Sequence, residues 1–169
     1  MRALIISFVT TTLICLAKVP IKAQVNEQTT ANWIKFDAGP FSILAPSGWE
    51  SHHLQGVDSY VGEFVGDGTS LKFDFGRYSS ELKQAKEPKY TIIRKPIGGF
   101  RAKIVSPRAA GQGVTGVYFK NVAGPNALCL WGQDLTEAQQ SLALKVFETV
   151  RFGHGQIQGP IPPSPKDAR

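Results

Sequence analysis

Tyr60, Gly62 and Phe64 alternate with Val61, Glu63 and Val65, and beyond Gly66-Asp67-Gly68 a second run alternates Leu71, Phe73 and Phe75 with Lys72 and Asp74. A period of two is the pattern of a strand, whose side chains point to opposite faces in turn. Two such runs joined by a Gly/Asp turn specify a β-hairpin. This pair constrains the fold more than any other feature. Leu71, Phe73 and Phe75 must face a core, which leaves Lys72 and Asp74 on the opposite face near Glu63.

The same pattern recurs. Tyr90–Arg94 and Arg101–Val105 flank Pro96-Ile97-Gly98-Gly99, and Gly116–Lys120 and Ala127–Trp131 flank Gly124-Pro125-Asn126. Upstream, Trp33–Phe36 and Phe41–Ala45 are separated by Gly39-Pro40, and the second run stops at Pro46-Ser47-Gly48. Neighbouring strands joined by short turns predict a largely antiparallel sheet. One helix follows: Leu135, Leu142, Ala143, Val146, Phe147 and Val150 make an apolar stripe at helical spacing. Thr136 with Gln139 predicts a capping box, and Asp134 or Glu137 near the start suits the helix dipole. This helix is expected to lie on one sheet face, with Val150-Arg151-Phe152 as a last short strand. Ser79–Lys86 is expected to supply at most a second short helix. The class is α+β, a mostly antiparallel sheet of hairpins with a C-terminal amphipathic helix on one face.

Residues 1–23 read as a secretory signal peptide. Met1-Arg2 carries a charge, the apolar run Ala3–Ala17 is shorter than the roughly 20 residues a spanning helix requires, and Ile21-Lys22-Ala23 offers a cleavage site before Gln24. The expected organisation is a signal peptide at 1–23, a single α+β domain at 24–152 and a disordered Pro/Gly-rich tail at 153–169. The expected location is periplasmic or secreted, with no membrane span once the signal is cleaved. Cys15 leaves with the signal, so Cys129 remains alone in a β-like run, where a buried apolar role is expected. Losing Arg2, Lys18 and Lys22 leaves sixteen cations against thirteen acids, a net charge of +3. The basic residues between Lys83 and Arg108 are scattered, without the interleaved aromatics of a single-strand binder, which argues against nucleic acid; a loose positive zone here would favour an anionic surface, but the expected reading is solvated strand and loop charge.

Chemical motifs are few. Gly111-Gln112-Gly113-Val114-Thr115-Gly116 matches a dinucleotide fingerprint in letters only. That motif requires a helix N-terminus after it to meet the pyrophosphate, and here a strand is expected. His52 and His53 form the histidine cluster of the chain, and with Glu50 and Asp58 they would supply nitrogen and oxygen ligands or acid–base groups. Adjacent histidines diverge on a strand, so joint chelation needs a loop, and solvent-facing loop positions are expected; His154 falls in the tail. Glu63 and Asp74 face each other across the first hairpin, but Lys72 beside them reads as an ion-pair face. No serine or cysteine motif for acyl transfer is present, no catalytic residue is assigned and no cofactor is expected. Asp58, Tyr60, Arg77 and Tyr78 gather at one end of the first hairpin, where they would form a small polar ligand site or a surface ion pair beside packed tyrosines.

Phe41-Ser42-Ile43-Leu44-Ala45-Pro46 followed by Gly48-Trp49, then hairpins, then a helix closing in Phe147-Glu148-Thr149-Val150-Arg151-Phe152, resembles the layout of PsbP-like α/β/α sandwich proteins over most of 33–152. The chain is similar as well to exported bacterial proteins of unknown function. The resemblance implies a non-enzymatic accessory or binding module and carries over no functional residue. The expected function is an exported binding or accessory module of the cell envelope, with a protein or small ligand as partner. The alternatives are an enzyme, metal-dependent or acid–base, around Glu50, His52, His53 and Asp58, and an interaction protein docking through its tail.

Overall fold

The computed structural model describes residues 32–153. In chain order the elements are β1 (Trp33–Asp37), β2 (Phe41–Pro46), β3 (Glu50–Leu54), β4 (Tyr60–Gly66), β5 (Thr69–Gly76), β6 (Tyr90–Ile97), β7 (Phe100–Pro107), β8 (Val114–Ala123), β9 (Asn126–Gln133), α1 (Glu137–Glu148) and β10 (Arg151–Phe152). They form a seven-stranded sheet in the order β3-β4-β5-β9-β8-β7-β6 and a three-stranded sheet in the order β1-β2-β10. Every pairing is antiparallel.

Turn chemistry sets the hairpin registers. Asp67 (φ 52°) and Gly68 (φ 67°) both take left-handed backbone between β4 and β5, as do Gly98 (φ 57°) and Gly99 (φ 85°) between β6 and β7. Two left-handed residues match the twist of the flanking strands, so Tyr60 pairs with Phe75 and Tyr90 with Pro107 at the far ends. The third hairpin slips between Phe119 and Ala123, where Asn121 is also left-handed (φ 55°).

One sheet face carries the main core. Phe64 on β4, Phe73 on β5, Val117 and Phe119 on β8, and Leu128 and Leu130 on β9 are buried beneath Ala143, Val146 and Phe147 of α1 and Phe41 and Ile43 of β2. Phe73 meets the Phe41 ring edge-on at 5.2 Å, so the small sheet and the large one share a single interior. The helix begins in the expected capping box: the Gln139 amide nitrogen donates to Thr136 Oγ1 and the Thr136 amide to the Gln139 side chain. Gln139 Nε2 also donates to the Gly68 carbonyl (2.8 Å), fastening the helix to the first hairpin turn. At the other end Thr149 Oγ1 donates to the Val146 carbonyl and accepts from the Leu44 amide, tying α1 to β2.

The opposite face corrects two expectations. The 79–86 segment is not a helix but an irregular strap. Leu82 sits at φ 53°, outside helical backbone, and Lys103 Nζ donates to the Glu81 and Leu82 carbonyls (2.8 and 3.3 Å), groups a helix would use internally. The strap lays Leu82 and Ala85 over Val105, Val114, Tyr118, Ala127 and Cys129, a second, smaller core. The second correction is β3, which places His52 and His53 on an edge strand rather than in a loop. All five of its residues are exposed, so no apolar alternation marks it in the sequence.

Candidate functional site

The quartet read from the first hairpin is divided by the sheet. Tyr60 turns to the helix side, where its ring stacks on Phe73 (5.6 Å between centroids) and meets His53 edge-on (4.4 Å). Its hydroxyl hydrogen-bonds His53 Nε2. Burial first, and Asp37 second, push its phenol pKa upward. Asp58 is exposed in the β3–β4 connection, and among the described residues no ion pair joins it to Arg77. The two chain segments do meet: a Cβ on Gly76 would press on Ser59. Arg77 and Tyr78 lie instead in a groove of about 400 Å³ with Lys83, Tyr118, Lys120 and Asn121, which neither Asp58 nor Tyr60 lines.

The histidines behave as strand neighbours. His52 stays on the strap side, 3.0 Å from Glu50 Oε2 and 3.9 Å (Nδ1) from Glu63 Oε1, while His53 reaches Tyr60 across the other face. Register explains this, because His52 pairs with Glu63 and His53 with Gly62. Among the described residues no three of His, Cys, Asp and Glu converge as metal ligands would. His154 lies outside the described residues. Glu63 also accepts from Ser70 Oγ (2.9 Å) and stands directly opposite Lys72, while Asp74 stands opposite Val61; among the described residues no ion pair joins Lys72 to either carboxylate, so the expected ion-pair face does not form.

Cys129 is fully buried and is the free cysteine of the described residues. Burial, with Asp74 adding to it, pushes its thiol up to about 12. A thiol held protonated is a poor nucleophile, so this side chain serves packing. Asp74 Oδ1 beside it is buried without a hydrogen-bond partner among the described residues. The glycine run enters β8 directly, leaving no helix start for a pyrophosphate.

The groove at Arg77 gathers cations from distant parts of the chain. Arg77 follows β5, Lys83 rides the strap and Lys120 ends the regular part of β8; Glu81 is the carboxylate lining it, 3.7 Å from Lys83. Among the described residues Arg77 and Lys120 have no carboxylate within ion-pair distance. Tyr78, 78% exposed, offers a ring face to solvent at the mouth. Sequence reading located Arg77 and Tyr78 but not Lys120, Tyr118 or Asn121, whose proximity depends on how β8 and β9 sit beside β5. Guanidinium and ammonium groups can donate charge-assisted hydrogen bonds to an anion, and an exposed ring can pack on the apolar part of a ligand.

No protein family pattern and no curated protein matches this chain. Among solved structures, a protein from Bacteroides thetaiotaomicron, in a crystal structure at 1.50 Å resolution, is similar at 13% identity with a TM-score of 0.44. The likeness covers 72% of this chain, and the chain spans about half (48%) of that protein's length.

Proposed function

We propose that this chain is an exported binding or accessory module of the cell envelope, and that it takes an anionic ligand in the groove of Arg77, Tyr78 and Lys120. The observation that carries the reading is the groove itself, with cations from three chain segments converging beside an exposed aromatic ring. The apolar, weakly charged N-terminus at 1–23 supports export to the periplasm or beyond, and the order of elements that resembles PsbP-like proteins supports an accessory role. No helix among the described residues is long and apolar enough to cross a membrane, which is compatible with that location.

Thermal unfolding in the presence of galacturonate, citrate and phosphate tests the groove. A ligand at a hundred times its dissociation constant stabilises by about 2.7 kcal/mol, several degrees for a domain of this size. The wild-type chain should shift with a carboxylate sugar, and R77A/K120A should lose the shift while melting at the wild-type temperature without ligand. A flat wild-type response to every anion overturns the reading. Export is tested separately by N-terminal sequencing of the chain from the periplasm of a Gram-negative host, which should begin at Gln24; a chain starting at Met1 would refute it.

A further inference from the structure

We propose that the groove continues into a cationic track across the strap-side face of the sheet, and that the track binds a linear acidic polysaccharide bearing carboxylates along its length. This rests on the anionic reading of the Arg77 groove and extends it.

Register brings like charges together. Arg94 on β6 stands directly opposite Lys103 on β7. Arg101 lies one step beyond the Ala102–Phe119 pair, which sets it beside Lys120 on β8. Like charges directly opposite destabilise a sheet, so two such pairs need a reason. Lys103 has one inside the fold, since its ammonium holds the strap carbonyls at Glu81 and Leu82. Arg94, Arg101 and Lys120 are exposed, and among the described residues none has a carboxylate within ion-pair distance. An anionic ligand would relieve the repulsion that the fold leaves uncompensated.

Shape selects among anions. A second groove, of about 540 Å³, is lined by Arg94, Lys95, Pro96 and Arg101, and the β7–β8 register sets its Arg101 beside Lys120 of the first. The two together cross β9, β8, β7 and β6, roughly 14 Å at ~4.8 Å between strands, which is more than one sugar fills. Two grooves in series suit a chain better than a bilayer. One exposed ring, Tyr78, is too few to stack the successive bases of a nucleic acid. The track crosses the strands, whereas an extended acidic peptide would pair along the edge amides of β6. Exposed Tyr78, with Pro125 in the same groove and Pro96 in the next, offers flat apolar surfaces for the C–H faces of pyranose rings. The guanidiniums match carboxylates two bonds at a time.

Titration calorimetry on the purified full chain with galacturonate oligomers of one, three and six sugars decides the matter. Hexamer affinity should exceed monomer affinity by about tenfold or more and weaken as salt is raised. R94A/R101A should fold and melt no lower than wild type, because it removes repulsion, and should lose most of the hexamer's advantage. Monomer binding that R77A/K120A abolishes, with no gain for the hexamer, overturns the polysaccharide track while sparing the groove; no binding of any oligomer overturns both. Binding of polyglutamate, an oligonucleotide or phosphatidylglycerol vesicles more tightly than the hexamer would also refute the proposal, assigning the face to that other partner.

Discussion

Single residues carry much of the physical economy of this domain. Cys129 ionises in the folded state only near pH 12, against about 8.5 in an open chain. Between those values the unfolded chain holds fewer protons than the folded one, so burial of this thiol costs stability progressively as pH rises. Denaturant titrations from pH 8 to 11 should show wild type losing stability that C129A does not lose, and the folded thiol should resist alkylation at pH 8 while the unfolded one reacts. Equal slopes for the two proteins would contradict the assignment. Gly62 is a second case. A Cβ there would stand 2.5 Å from the Phe73 ring and from the His52 carbonyl, backbone on one side and core on the other. G62A should cost roughly 1–3 kcal/mol, the usual cost of overpacking, measurable as a lower urea midpoint with an unchanged slope. His52 and His53 were legible as divergent neighbours because strand geometry alone separates them. Tyr60 as the partner of His53 was not, since that contact depends on the β3–β4 register.

At the level of elements, the strap between β5 and β6 is the least regular part of the fold and the most informative. Its backbone carbonyls at Glu81 and Leu82 are held by Lys103 from below, and Leu82 and Ala85 are pinned in the smaller core. K103M should loosen the strap and cost about 1.5–3 kcal/mol, the range for hydrogen bonds to a charged group. Amide exchange in 79–86 should accelerate while β8 and β9 keep their protection; unchanged exchange would show that the apolar contacts suffice. The helix start makes the complementary case. Thr136 and Gln139 satisfy each other and Gln139 reaches the Gly68 carbonyl, so the cap joins two elements rather than ending one. T136A should cost about 1 kcal/mol by thermal or chemical unfolding. The capping box was readable because it is a spacing of three within one element. The strap's path was not, because its carbonyl anchor stands more than twenty residues away in sequence.

At the scale of the whole fold, the described residues form two sheets and a helix around a shared interior, with a second small core beneath the strap. Phe152 of β10 shows how the parts are joined: its ring meets Phe100 at 4.8 Å and Phe119 at 5.1 Å, from the small sheet to the large. Phe152 is half-buried, so F152A should lower the stability of the entire domain by roughly 1–3 kcal/mol, less than a fully buried aromatic would cost, and calorimetry should still record one transition. Two separated transitions would mean that the small sheet unfolds on its own. The cationic track belongs to this scale as well, since no single element contains it.

By itself the sequence determined the class: hairpins with their turns, the antiparallel pairing of neighbours, and a capped helix with one apolar stripe. All of these follow from periodicity, turn chemistry and spacings of a few residues, interactions that local backbone geometry enforces. Only the tertiary structure decided that β9 lies between β5 and β8, that the 79–86 segment crosses the second face as a strap, and that Arg77, Arg94, Arg101 and Lys120 share one face. The reason is that these outcomes depend on the register between strands remote in sequence and on which apolar surfaces close most completely over each other, and such long-range burial leaves no periodic mark on the chain.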